Sequence, residues 1–265
     1  MSHAPRAMRG ARALALLCLL ATPASAAAAE LSDLTVSAPV QPGDFRGDLR
    51  ELPVARPWQP GDPQGQGPRR IQTRPPSQRS VVPALAADPL LKASRALAAP
   101  VMSRAFTTPT VNRDGSGYSG VAPPDTVGDI GPSHYVQAIN DSAGTTILVL
   151  DKATGTTAAG PFTLSTLFTG GGACTSGGGD PQVLFDQLAQ RWLIVEFAAT
   201  GNHLCMYVSK TSSPVSGGWW TYDYSTAQFP DYPKFGVWPD AWYATTNESS
   251  PAVYAFDRPP GLHAG

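Results

Sequence analysis

The stretch Gly178 to Phe197, GGDPQVLFDQLAQRWLIVEF, decides how the chain is read. Val183, Leu184 and Phe185 form a short apolar run. Asp186, Gln187, Ala189 and Gln190 mark a reversal. Arg191 to Ala198 is then rich in β-branched and aromatic residues. A strand, a tight turn and a second strand follow from that order. Two other stretches carry degenerate copies: PPDTVGDIGPSHYVQAIN, Pro123 to Asn140, and DYPKFGVWPDAWYATTN, Asp231 to Asn247.

The copies are regularly spaced. Asp125, Asp180 and Asp231 open them, 55 and 51 residues apart. Ten to twelve residues after each Asp an aromatic stands in the next strand: Tyr135, Trp192 and Tyr243. Leu150-Asp151-Lys152-x-x-Gly155 is echoed by Phe256-Asp257-Arg258-x-x-Gly261. Strands are expected at 134–140, 145–151, 182–186, 191–198, 203–209, 218–224, 234–238, 241–247 and 252–257, with no sustained helical period. The class is all-β. A repeat near fifty residues with about four short strands per unit is the pattern of a β-propeller blade, since one twisted sheet cannot bury both faces alone. The expectation is an incomplete propeller of about two and a half to three four-stranded blades, truncated at the C-terminus. A β-sandwich of about nine strands is the alternative.

The rest of the chain frames this domain. Arg6, Arg9 and Arg12, the apolar run Ala13–Ala21 and Ala24-Ser25-Ala26 read as a signal peptide cleaved near Ala26, residues 1–26. Secretion, or a periplasmic location, is expected, with no membrane span. Residues 27–110 are rich in Pro, Ala, Arg and Gln, a composition that buries too little apolar surface to order, and read as a disordered arm or propeptide. Ala84–Leu97 is the one place there with roughly helical leucine spacing. Residues 111–265 form the β domain. Thirteen acidic residues there face six basic ones, a net of −7, where the whole chain carries −1. A nucleic-acid face needs clustered cations, so that class is excluded. After export two cysteines remain, Cys174 and Cys205. An oxidising compartment favours a disulfide between them that pins the Gly170–Gly179 loop, read as a flexible connection, to the sheet.

The three motifs together, over about Gly120 to Gly261, resemble a largely uncharacterised family of exported bacterial proteins that read as propellers, distantly similar to the sialidase or BNR-repeat class. The resemblance implies that blades are missing here, to be supplied by a longer chain or by self-association. It carries over no catalytic residue, and the sialidase Asp box is not in the sequence.

Candidate chemistry is therefore taken from residue types. Paired aspartates flank each first strand: Asp125 and Asp129, Asp180 and Asp186, Asp231 and Asp240. Lining one end of a channel, they would form an acidic funnel. Asp180, Asp186, Asp231 and Asp240 are then ligand-binding candidates, and Asp125, Asp129 and Asp180 a set of hard oxygen ligands for Ca²⁺, the one cofactor considered. Asp beside Pro or Gly is equally a turn former that needs no ligand. Asp231, Asp240, Glu196 and Glu248 are the carboxylates available for glycoside hydrolysis. Aromatics crowd Trp219 to Tyr243. Alternation puts Trp220, Tyr222 and Tyr224 on one face of a strand and Trp219, Thr221 and Asp223 on the other. Trp220 and Tyr232 are the candidates for a platform against a glycan or protein ligand, with packing between sheets the competing role. The leading functional reading is an exported binding or interaction module for cell-surface or extracellular material. A glycan-active domain of sialidase-like class and a non-functional fragment are the rivals.

Overall fold

The computed structural model describes residues 35–66, 109–248 and 252–258. The chain divides into two compact units, Met1–Pro39 and Val40–Gly265. Of the first, residues 35–39 are described; they are exposed and outside any helix or strand. The signal peptide and the Ala84–Leu97 segment lie outside the described residues.

The second unit is all-β. Among the described residues fourteen strands run in order: β1 Gly43–Phe45, β2 Gly65–Gln66, β3 Val121–Ala122, β4 Val127–Ile130, β5 His134–Asp141, β6 Gly144–Asp151, β7 Thr157–Thr163, β8 Gly177–Asp186, β9 Arg191–Ala198, β10 His203–Ser209, β11 Trp219–Ser225, β12 Lys234–Val237, β13 Ala241–Thr246 and β14 Ala252–Asp257. They form three antiparallel sheets, none closed on itself. The first has the order β4-β5-β6-β7 and the third β12-β13-β14. The second has β1-β11-β10-β9-β8, and β2 with β3 makes a short parallel pair. Within each of the three sheets the strands from β4 onward follow chain order, because each connection is a short reversal between strands that pair antiparallel.

Nearly all the strands expected from the sequence form within a residue or three of their ends. Two structured pieces of the first sheet, β4 and β7, were not expected. Val127-Gly128-Asp129-Ile130 is half Gly and Asp. In β7 a Gly160–Pro161 pair interrupts the run, and the pairing with β6 shifts register there. Such residues depress a local strand signal that pairing restores.

The second sheet is buried on both faces. One face meets the first sheet: Val136, Ala138, Ile147 and Val149 pack with Phe185, Trp192, Ile194, Tyr207 and Trp219. The other meets the third: Leu193, Val195, Leu204, Met206 and Val208 pack with Trp242, Ala244 and Phe256. This is why RWLIVEFA is apolar almost throughout, the pattern of a strand covered on both sides. Burial of these side chains is the main stabilising term, about 1.5–3 kcal/mol for each large one.

Register relates the copies. Ile130 pairs with Tyr135, Phe185 with Trp192 and Val237 with Trp242, each flanking the first reversal of its sheet. The third-copy aromatic at this place is Trp242, not Tyr243. The one-residue offset moves a side chain to the opposite face: Trp242 is buried, whereas Tyr243 is 39% exposed. Trp192 in turn lies against the reversal of the preceding sheet. A Cβ added at Gly131 would stand 2.6 Å from its ring, so only glycine fits there.

Residues 40–66 depart from the disordered arm read from composition. β1 adds to the edge of the second sheet, with Asp44 opposite Trp220. Lys210 forms an ion pair with Asp44, reaches the Phe45 carbonyl at 3.2 Å, and sits 4.1 Å from the Trp220 ring centroid. Leu49, in a 3-10 turn over Leu49–Glu51, is buried in the core, and its N–H donates to Val215 O at 2.9 Å. One well-placed leucine and a strand edge wanting partners order a segment whose average composition argues the other way.

The Gly-rich connection is also structured. A 3-10 turn spans Ala173–Thr175 and β8 begins at Gly177. Cys174 is joined to Cys205 in a disulfide closing a separation of 31 residues, both cysteines fully buried. The bridge pins this connection to β10.

Candidate functional site

The opening residues of the first two copies meet. Asp125 precedes β4 with φ 38°, and Asp180 lies within β8 with φ 50°. Both occupy the left-handed region that aspartate tolerates better than most residues. Asn140, at the far end of β5 and almost wholly buried, ties them. Its Nδ2 donates to Asp125 Oδ2 at 2.7 Å and to Pro123 O at 3.1 Å, and its Oδ1 accepts the Asp180 N–H at 2.8 Å. Asn140 thus gathers the two aspartates around one buried amide. Burial, the bond to Asp125 and the charges of Asp125 and Asp231 push the Asp180 carboxyl up to about 7, against the pull of Asn140. Burial also raises Asp231. Asp180 is thus close enough to feel both other aspartates that open the copies, and near neutral pH its own carboxyl is partly protonated.

Asn140 was not singled out from the sequence. Its signal was positional. Asn140 N–H donates to Pro124 O and Asn247 N–H to Asp231 O, both at 2.8 Å, so an asparagine closes the same strand end in the first and third copies.

The other candidates go elsewhere. Asp129 Oδ1 accepts from Ile130 N and Oδ2 from Phe185 N, both at 2.7 Å, so it staples two sheets at the end of β4 away from Asp125. The set Asp125, Asp129 and Asp180 is not brought together. Among the described residues no group of three or more His, Cys, Asp or Glu is arranged to hold a metal ion. Asp186 is wholly buried. It accepts from Leu188 N and Ala189 N at 2.9 Å and from Trp242 Nε1 at 2.8 Å, and pairs with Arg258 at 2.9 Å. It is a structural tie with no surface for a ligand. Asp240 lies in the β12–β13 reversal, bonded by Tyr243 OH at 2.9 Å. Asp231 is at the opposite end of β12, so these two carboxylates do not share a site.

Glu196 is fully buried between the first and second sheets. Tyr207 OH donates to its Oε1 at 3.2 Å, and its Oε2 has no hydrogen-bond partner among the described residues. Burial pushes its carboxyl up to about 8. Glu248 accepts from Thr246 and Tyr254 hydroxyls at 2.8 and 2.6 Å inside the third sheet.

Of the aromatics, Trp219 packs in one core cluster and Trp220, Tyr222 and Tyr224 in or against the other. Both faces of β11 are committed to packing, and Lys210 covers part of Trp220, so no Trp220 platform forms. Tyr232 remains 45% exposed, with φ 49° and Lys234 Nζ 3.6 Å from its ring centroid. Among the described residues no helix is long and apolar enough to cross a membrane.

Fold and site together define an all-β protein of three antiparallel sheets packed face to face, with one buried disulfide within the middle sheet and two aspartates gathered on Asn140 where the first two sheets meet. Compared with models of protein families, with curated proteins and with solved structures, the chain matches none.

Proposed function

We propose that the chain is an exported binding module of the β-propeller class, engaging cell-surface or extracellular material through the end of the sheets where Asp125, Asp180 and Asp231 open. Three features support a propeller over a sandwich: strands from β4 onward in chain order within each sheet, the same register at each first reversal, and a middle sheet covered on both faces by its sequence neighbours. Face-to-face packing alone is compatible with either. The N-terminal signal pattern supports export, and a buried disulfide fits an oxidising compartment.

The observation that carries the binding reading is the Asp125–Asp180 pair. Glycoside hydrolysis needs two carboxyls about 5–9.5 Å apart, to admit a sugar or a water between them. Both aspartates are tied to the buried Asn140 amide, at 2.7 and 2.8 Å, which favours a fixed polar cluster over a pair spread to admit a sugar or a water. They offer instead a fixed donor and several acceptors, suited to hydroxyl or ammonium groups on a glycan or protein ligand.

The test is binding and turnover on one sample. Soluble cell-wall glycans and a lysine-rich peptide are titrated calorimetrically against the full chain and against Asp180→Asn, and fluorogenic glycosides are assayed in parallel. Binding that weakens about tenfold in the variant, with no turnover, supports the reading. Hydrolysis abolished in Asp180→Asn, or no binding to any probe, overturns it.

A further inference from the structure

A second polar recess lies away from the acidic end. It is a cleft of about 520 Å³, within the size range of small-ligand sites. Three parts of the fold build it. His134 and Asp151 are cross-strand neighbours at the ends of the two inner strands, β5 and β6, of the first sheet, with Thr154 and Thr156 in the turn after β6. Ser213, Val215 and Ser216 come from the loop between β10 and β11. Arg50 comes from the N-terminal segment, seated there by burial of Leu49 and the Leu49–Val215 hydrogen bond. The cleft is incomplete without that segment.

Its hydrogen-bonding groups are only partly used. Asp151 takes all its bonds on Oδ1, from Ala153 N, Thr154 N and Thr154 Oγ1 at 2.8–3.0 Å, leaving Oδ2 without a partner among the described residues. Arg50 grips Asp48 through Nε and Nη2, at 2.9 and 2.6 Å, leaving Nη1 without one. His134 Nδ1 is shielded from solvent and also has none among the described residues. Burial lowers the His134 pKa, so the ring is neutral at pH 7. A shielded polar atom without a partner is costly, about 1–3 kcal/mol, and a ligand group would relieve that.

The charges select the ligand class. An anion would meet Asp151, with the Arg50 charge already matched by Asp48. A cation would satisfy Asp151 Oδ2 but leave the Arg50 Nη1 N–H, which can only donate, without an acceptor. A neutral molecule with adjacent hydroxyls can donate to Asp151, accept from Arg50 and exchange with the threonine and serine hydroxyls. We propose that this cleft, completed by Arg50 of the N-terminal segment, is a binding site for a neutral polyhydroxyl ligand such as a monosaccharide unit. The site is separate from the acidic end and does not rest on the function proposed for it.

Saturation-transfer NMR on the full chain, with D-glucose, D-galactose, N-acetylglucosamine and myo-inositol as probes, tests this. At least one probe is expected to bind, and Arg50→Ala to weaken it about tenfold, the loss of one charge-assisted hydrogen bond. Ser216→Trp, which fills the cleft without removing a bond of the core, is expected to abolish the signal at unchanged melting temperature. Asp180→Asn is expected to leave it intact, which separates the two sites. The proposal is overturned if no probe binds, or if a bound probe is indifferent to both cleft variants.

Discussion

Trp242 in the third sheet donates its indole N–H to the carboxylate of Asp186 in the second, at 2.8 Å, and the same carboxylate holds Arg258 at 2.9 Å. Arg258 continues to the Pro239 carbonyl at 3.2 Å. The reversal of one sheet, the inner tryptophan of the next and the end of its last described strand are closed by one buried cluster. Trp242→Phe removes one bond to a charged acceptor and should cost about 1.5–3 kcal/mol. Asp186→Ala strands a buried guanidinium and should cost about 3–5 kcal/mol. Urea unfolding of both variants checks the ranking. If the tryptophan variant proves the more damaging, packing and not the charge cluster dominates this joint.

The disulfide joins the turn that precedes β8 to the inner strand β10 of the same sheet. Closing a loop of 31 residues restricts the unfolded chain by about 3.5 kcal/mol in the chain-entropy description. A Cys174→Ala, Cys205→Ala double variant should lose stability of that order in guanidinium unfolding. Single variants should do no better, since each leaves a buried thiol in place of the bond.

The sequence announced the sheets well because their signals are local. RWLIVEFA and HLCMYVS alternate or run apolar over a strand's length, and the turn residues around them are unambiguous. What stayed hidden depends on partners distant in the chain. Leu49 reads as one leucine in a Pro/Arg-rich segment; only the gap beside Val215 makes it core. Asp129, Asp180 and Asp186 look alike in the sequence. The structure separates them by neighbours: a backbone N–H of the next sheet for Asp129, another carboxyl for Asp180, a tryptophan and an arginine for Asp186. That Asp125, Asp180 and Asp231 open the copies was legible from their spacing. The asparagine that fixes two of them was not.

The N-terminal segment yields its own prediction. Leu49→Ala empties a buried site and should cost about 2–5 kcal/mol. Arg46→Ala, in an exposed pair with Asp44, should change stability little, in line with surface ion pairs. Amide exchange resolves the effect by position: Leu49→Ala should speed exchange across residues 43–52 and along β11. Uniform acceleration over all three sheets would instead mean that the segment is integral to the whole core.

Glu196 and Asp180 give the protein a defined response to pH. Both carboxyls are raised on folding, Glu196 to about 8 and Asp180 to about 7, so the folded chain holds protons that the unfolded chain releases. Stability is then greatest below the unfolded carboxyl range and declines as pH rises through the folded values. For fully buried Glu196 the slope approaches roughly 1.4 kcal/mol per pH unit between about 4.5 and 8. The groups facing it set this behaviour. Tyr207 donates to it, with its own hydroxyl held well above its usual range by burial and by Glu196. Asp141 adds a like charge, and from β8 a Cβ on Gly177 would strike the carboxyl. Glu196→Gln keeps the shape and cannot ionise. It should match the wild type near pH 4.5, exceed it increasingly up to pH 8, and leave the lower part of the decline to Asp180. Asp180→Asn should remove only that lower part, between about pH 4 and 7. Melting curves of the three proteins from pH 4 to 9 separate the two carboxyls. A Glu196→Gln curve parallel to the wild type would mean that Glu196 is already ionised in the folded chain, with a buried counter-charge yet to be found.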